Sequence, residues 1–130
     1  MAYGTTVQMH LDFGQAVERT RAALAEQGFG VLTEIDVQAT MKNKLDEDME
    51  PYVILGACNP QLAHQALGVD RGISLLLPCN VVVRRQGDHT VVQALDPQIM
   101  VSLTGQPELQ SMADEATRRL DAALKNIAGG

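Results

Sequence analysis

The chain has 130 residues, 45% of them apolar and 20% charged, the balance of one soluble domain spanning residues 1–130 with length enough to bury a core. Ten Lys and Arg against sixteen Asp and Glu leave a net charge of −6, the wrong sign for attraction to nucleic acid or anionic lipid. No stretch approaches the roughly 20 apolar residues of a membrane-spanning helix, and residues Met1 to His10 lack the basic start and long apolar run of a secretory signal. The expectation is a cytoplasmic protein whose two cysteines, Cys58 and Cys79, are thiols rather than a disulfide.

From Thr5 to Leu11 apolar Val7, Met9 and Leu11 alternate with Thr6, Gln8 and His10, the period of a half-buried strand. Asp12, with Gln15 three residues on, reads as the N-cap of a helix carrying Phe13, Ala16, Val17, Thr20, Ala23 and Leu24 at helical spacing, and Gly28 ends it. Alternation resumes over Val31, Thr33, Ile35 and Val37 as a second strand. Residues 38–51 are the least organised stretch, with a short helix around Met41 to Leu45 and then an acidic run, and read as an exposed loop or lid.

Tyr52 to Ala57 is a strand of nearly continuous apolar character. Asn59 and Pro60 start a short helix as N-cap and first helical residue, closed by Gly68. Ile73 to Arg85 is strand-like but broken at Pro78, which cannot donate to a ladder. Gln86-Gly87-Asp88 turns the chain into a hairpin partner, Thr90 to Leu95. After Pro97 a short apolar turn leads to a last helix opened by Pro107, whose stripe is Leu109, Met112, Ala113, Ala116, Leu120, Ala123, Leu124 and Ile127. Short links between the last strands predict an α+β fold with a largely antiparallel sheet and helices on one face.

The cysteines stand in similar settings, Gly56-Ala57-Cys58-Asn59-Pro60 and Leu77-Pro78-Cys79-Asn80-Val81, each at a strand interruption and each followed by Asn. Cys58 immediately precedes a helix N-terminus, where free N–H groups and the helix dipole lower a thiol pKa and favour attack, oxidation or soft-metal binding. The bland alternative is a pair of small buried hydrophobes. Their 21-residue separation is not a Cys-x-x-Cys pair, and His10, His64 and His89 all read as surface residues rather than completing a zinc site. The run Asp46, Glu47, Asp48, Glu50 lacks the spacing of a calcium loop. No phosphate loop, nucleophile elbow or zinc-protease motif is present, and the aliphatic and Met content is explained by core packing without an apolar ligand.

Three stretches, Gly28 to Val37, Ile54 to Pro60 and Leu75 to Val83, followed by Ala94-Leu95-Asp96-Pro97, resemble the domain of unknown function 302 family nearly end to end. The resemblance implies a TATA-binding-protein-like fold, β-α-β(4)-α, usually seen as a homodimer, and no established reaction. Fold likeness to a DNA-binding protein does not confer DNA binding. The family's Gly-Ala-Cys-Asn-Pro falls on Gly56 to Pro60 and its Leu-Pro-Cys-Asn-Val on Leu77 to Val81, which makes both cysteines family features. The acidic loop at Asp46 to Glu50 departs from the family pattern of glycine and less charge.

The sequence supports three readings of function. The first is a homodimeric, non-enzymatic binding module with Cys58, Asn59, Cys79 and Asn80 around a soft metal, a metal-centred cofactor such as haem, or a thiol-reactive small molecule. The second is a thiol enzyme, with Cys58 as nucleophile or persulfide carrier and Cys79 as resolving partner. The third is a structural or interaction protein in which the cysteines are inert and the dimer surface is the functional part.

Overall fold

Strict alternation along the strands sorts their side chains onto two faces, and the architecture follows from covering one of them. The computed structural model describes residues 2–129. Strands β1 (Gly4–Met9), β2 (Gly30–Asp36), β3 (Tyr52–Cys58), β4 (Cys79–Gln86) and β5 (His89–Leu95) form a sheet in the order β1-β5-β4-β3-β2, antiparallel throughout. The helices are α1 (Phe13–Glu26), α2 (Val37–Leu45), α3 (Pro60–Val69), α4 (Gln98–Thr104) and α5 (Gln110–Gly129). The expected α+β class with helices on one face is what forms.

On the covered face, Met9, Val53, Leu55, Ala57, Val81, Val83, Val92 and Ala94 meet Ala16, Val17, Ala23 and Leu24 of α1 and Leu120, Ala123, Leu124 and Ile127 of α5. Each buried Leu or Ile there contributes roughly 1.5–3 kcal/mol. A second cluster joins Ala66 of α3, Ile73, Cys79, Met100 of α4, Leu109 and the α5 residues Met112 and Ala116. Every residue of the stripe expected on the last helix is buried, from Leu109 to Ile127.

Local signals that rest on side-chain chemistry hold. The Asp12 carboxylate accepts from the Gln15 amide at 2.7 Å, and Gly28 ends the helical segment at φ +83°, a conformation that suits glycine. Gly87 likewise takes φ +60° in the hairpin turn.

Four expectations require correction. Residues 37–45 form a full helix that contains the short one expected around Met41 to Leu45 and extends it back to Val37: Asp36 caps it by accepting from Ala39 N at 2.9 Å. None of its residues is buried, so no apolar stripe announces it. The acidic run folds back on that helix, with Lys42 paired to Asp46 at 3.0 Å and Asp48 at 3.1 Å. The helix after Asn59 runs through Gly68 to Val69. Arg71–Leu76 is 3₁₀-helical rather than strand, because Asp70 accepts from Gly72 N at 2.9 Å and turns the chain. After Pro97, Gln98–Thr104 is a helix ended by Gly105 at φ +66°.

The open face of the sheet has its own tight spot. A Cβ on Gly56 would collide with Thr33 Oγ1 and lie 2.9 Å from Pro78 Cγ, so β2 and the segment before β4 close over this glycine. Gly56→Ala should lower stability by about 1–3 kcal/mol, seen as a lower denaturant midpoint at unchanged m-value. Combining it with Thr33→Ala should restore part of that loss; additive effects would mean that the contact does not set the cost.

Candidate functional site

β3 and β4 pair with Ala57 opposite Cys79, so Cys58 lies one residue past the position facing Cys79. Strand spacing and rise put their Cα atoms about 6 Å apart, inside disulfide range on that criterion. Both are free thiols, Cys58 half-buried and Cys79 buried at 5% exposure. Both line one crevice of ≈ 20 Å³ together with Phe29, Leu77, Met100 and Met112. That volume holds about one water molecule.

Asn59 is the fixed point beside it. Its Oδ1 accepts from Leu62 N at 3.0 Å as the N-cap of α3, and its Nδ2 donates to the Gly28 carbonyl at 3.1 Å. Arg119 supports the same turn, donating to the Gln27 carbonyl at 3.4 Å while its Nε bonds Glu115 at 2.8 Å. The turn so held delivers Phe29, 4% exposed, into the crevice.

Burial reverses the electrostatic expectation for Cys58. The Leu62 amide goes to the Asn59 side chain at 3.0 Å, and the Ala63 amide makes the first bond of the helix to the Asn59 carbonyl at 2.9 Å. Burial dominates and raises the Cys58 thiol above its ordinary value. Burial, and next the neighbouring Cys58, push Cys79 up to about 11. At neutral pH the pair is two neutral thiols.

Asn80 goes elsewhere. It is exposed on the open face of the sheet and lines a shallow groove of ≈ 230 Å³ with Tyr3, Tyr52, Val82 and Gln93. Of the four residues singled out, Cys58, Asn59 and Cys79 therefore meet and Asn80 does not. Met100 and Met112 were missed as site residues. Met112 reads as one more member of an apolar stripe and Met100 as part of a turn, and only the tertiary fold joins them to the cysteines.

His10 and His64 are exposed as expected, but His89 is half-buried. Its Nδ1 lies 3.1 Å from Asp88, its Nε2 is buried without a partner, and its ring packs edge-on to His10 at 6.4 Å. The two lie one residue beyond the paired Met9 and Thr90 at the end of the β1–β5 ladder, a neighbourhood invisible in sequence. Among the described residues, no three His, Cys, Asp or Glu side chains gather to hold a metal ion. No helix among them is long and apolar enough to cross a membrane.

Residues 5–127 match the family described as "Domain of unknown function DUF302", and the chain belongs to that family. It is similar to the crystal structure of the uncharacterized conserved protein DUF302 from Bacillus stearothermophilus, at 29% identity and a TM-score of 0.90, over 97% of this chain and 98% of that one. No curated protein matches.

Replacing Asn59 by Ala removes the α3 cap and leaves the Gly28 carbonyl without its donor. The expected loss is about 1–2 kcal/mol, read from chemical denaturation. Asn59→Asp should keep the cap and recover part of it; equal stability of parent and Asn59→Ala would refute the role.

Proposed function

We propose that the chain is a non-catalytic, homodimeric binding module, with its ligand site in the crevice beside Cys58 and Cys79 and its subunit contact on the open face of the sheet. The observation that carries the ligand site is convergence: two thiols 21 residues apart in sequence line one crevice, one half-exposed and one at depth. The size of the crevice favours an atom-sized guest over haem. The raised thiols weigh against the thiol-enzyme reading, since the thiolate is the nucleophile and neither residue holds one at neutral pH.

Support for the subunit contact comes from the uncovered face. The register lines up Thr6, Gln93, Val82, Ile54 and Ile35 in one row across all five strands. The next row along carries Gln8, Arg84 and Tyr52, with Val91 buried among them. Arg84 is the only charged residue in these rows, and its guanidinium is engaged by Gln93 at 3.0 Å and Gln86 at 2.7 Å. In a chain of net charge −6, a surface free of carboxylates is where a second copy meets least repulsion. Five strands about 4.8 Å apart with three outward residues each cover roughly 500 Å². Two copies would then bury about 1,000 Å², the lower bound of a specific interface.

The experiment has two arms. Light scattering should give twice 14.0 kDa for the parent at high concentration, with dissociation on dilution, and 14.0 kDa at every concentration for a folded Val82→Glu variant. Equilibrium dialysis should show retention of a soft metal ion such as Cu(I) that Cys58→Ser removes, and no comparable retention of haem. A parent that stays monomeric throughout overturns the dimer, and equal retention by Cys58→Ser overturns the ligand site.

A further inference from the structure

The crevice is unusual in its chemistry as well as its size. The chain has two cysteines and six methionines, and both cysteines and two methionines line this one opening. They arrive from four elements: Cys58 from the end of β3, Cys79 from the start of β4, Met100 from α4 and Met112 from α5. Met100 is fully buried and Met112 is 3% exposed. The half-buried Cys58 is the most solvent-accessible of the four.

No carboxylate or imidazole lines the crevice. Hard cations, which take several oxygen ligands with carboxylates among them, find no carboxylate here, and the one side-chain oxygen, that of Asn59, is engaged by the Leu62 amide. Zinc in a structural site takes four ligands from thiolate, imidazole and carboxylate, and no group of three such residues is present among the described ones. Thiolate and thioether sulfur together select soft monovalent metal, Cu(I) above all. The volume of about one water suits a single ion.

We infer that the crevice is a site for one soft monovalent cation, Cu(I) or its analogue Ag(I), held by the Cys58 sulfur with thioether ligation from Met100 and Met112. The inference rests on reading the crevice as the ligand site and adds to it the ligand class and two further donors. Charge balance sets the stoichiometry. A cation M⁺ and the Cys58 thiol form a neutral metal–thiolate and release one proton, so no net charge is left in an apolar cavity, where an uncompensated ion is costly. A second thiolate from Cys79 would leave a net negative charge among aliphatic neighbours, so Cys79 stays protonated beside the ion.

The test uses the reduced full-length protein, titrated anaerobically with Cu(I) against a chromophoric Cu(I) chelator, and in parallel with Ag(I) in weak buffer to count protons. The expected results are one ion bound per chain, one proton released per ion, and a rise in thermal midpoint on adding Ag(I). Met100→Leu and Met112→Leu conserve volume and should fold, yet each should weaken Cu(I) binding tenfold or more. Cys58→Ser should abolish it. Two protons released, with affinity indifferent to both methionine substitutions, would overturn thioether ligation in favour of a bis-thiolate while leaving the ligand site intact. No retention of either ion by the parent overturns the soft-cation assignment. Retention unchanged in Cys58→Ser overturns the ligand site itself.

Discussion

A single side-chain amide, that of Asn59, organises the end of the sheet on which the candidate site depends. Its oxygen caps α3 and its nitrogen holds the carbonyl of Gly28, so one residue joins the end of α1 to the start of α3. That link decides where Phe29 enters and how narrow the space between Cys58, Cys79, Met100 and Met112 becomes. Burial keeps the proton on the neighbouring Cys58 thiol.

The sheet divides the molecule's tasks between its faces. The covered face carries the aliphatic core against α1 and α5, and its far end becomes the sulfur-lined crevice. The uncovered face bears Val82, Ile54, Tyr52 and Ile35 among uncharged polar neighbours. One face supplies the proposed ligand site and the other the proposed self-association, so substitutions on either should act separately. The likeness to a DUF302 crystal structure at a TM-score of 0.90 fixes the architecture, while the chemistry has to be argued from these side chains.

Elements with strong periodicity were legible in the sequence. The alternation of Val7, Met9 and Leu11 and the stripe from Leu109 to Ile127 led to β1 and to the α5 region with its preceding turn. Helix α2 was legible only over its second half, Met41 to Leu45, because it buries no residue and its start is marked only by the cap Asp36. The run Ile73, Leu75, Leu76, Leu77 resembles a strand by composition, yet the Asp70 side chain caps a 3₁₀ segment there instead. At the site, punctuation by Gly, Pro and Asn pointed to both cysteines and to Asn59. The same pattern drew in Asn80, whose strand position turns it to the other face, because β4 alternates and Cys79 already faces inward. Met100 and Met112 carry no local signal, since a buried methionine has the same spacing whether or not it borders a cavity.

The central claim is that, before any ligand binds, the narrow apolar crevice holds two neutral thiols rather than an activated nucleophile pair. The most direct measurement is the ultraviolet absorbance of thiolate in the reduced protein as pH is raised. A raised pKa in the folded state means that the neutral form is the one folding favours, so ionisation is deferred past the ordinary thiol value of about 8.5. The account predicts no thiolate at neutral pH, Cys58 ionising first above its ordinary value, and Cys79 only toward about 11. A thiolate that forms below neutral pH and disappears in Cys58→Ser would contradict it.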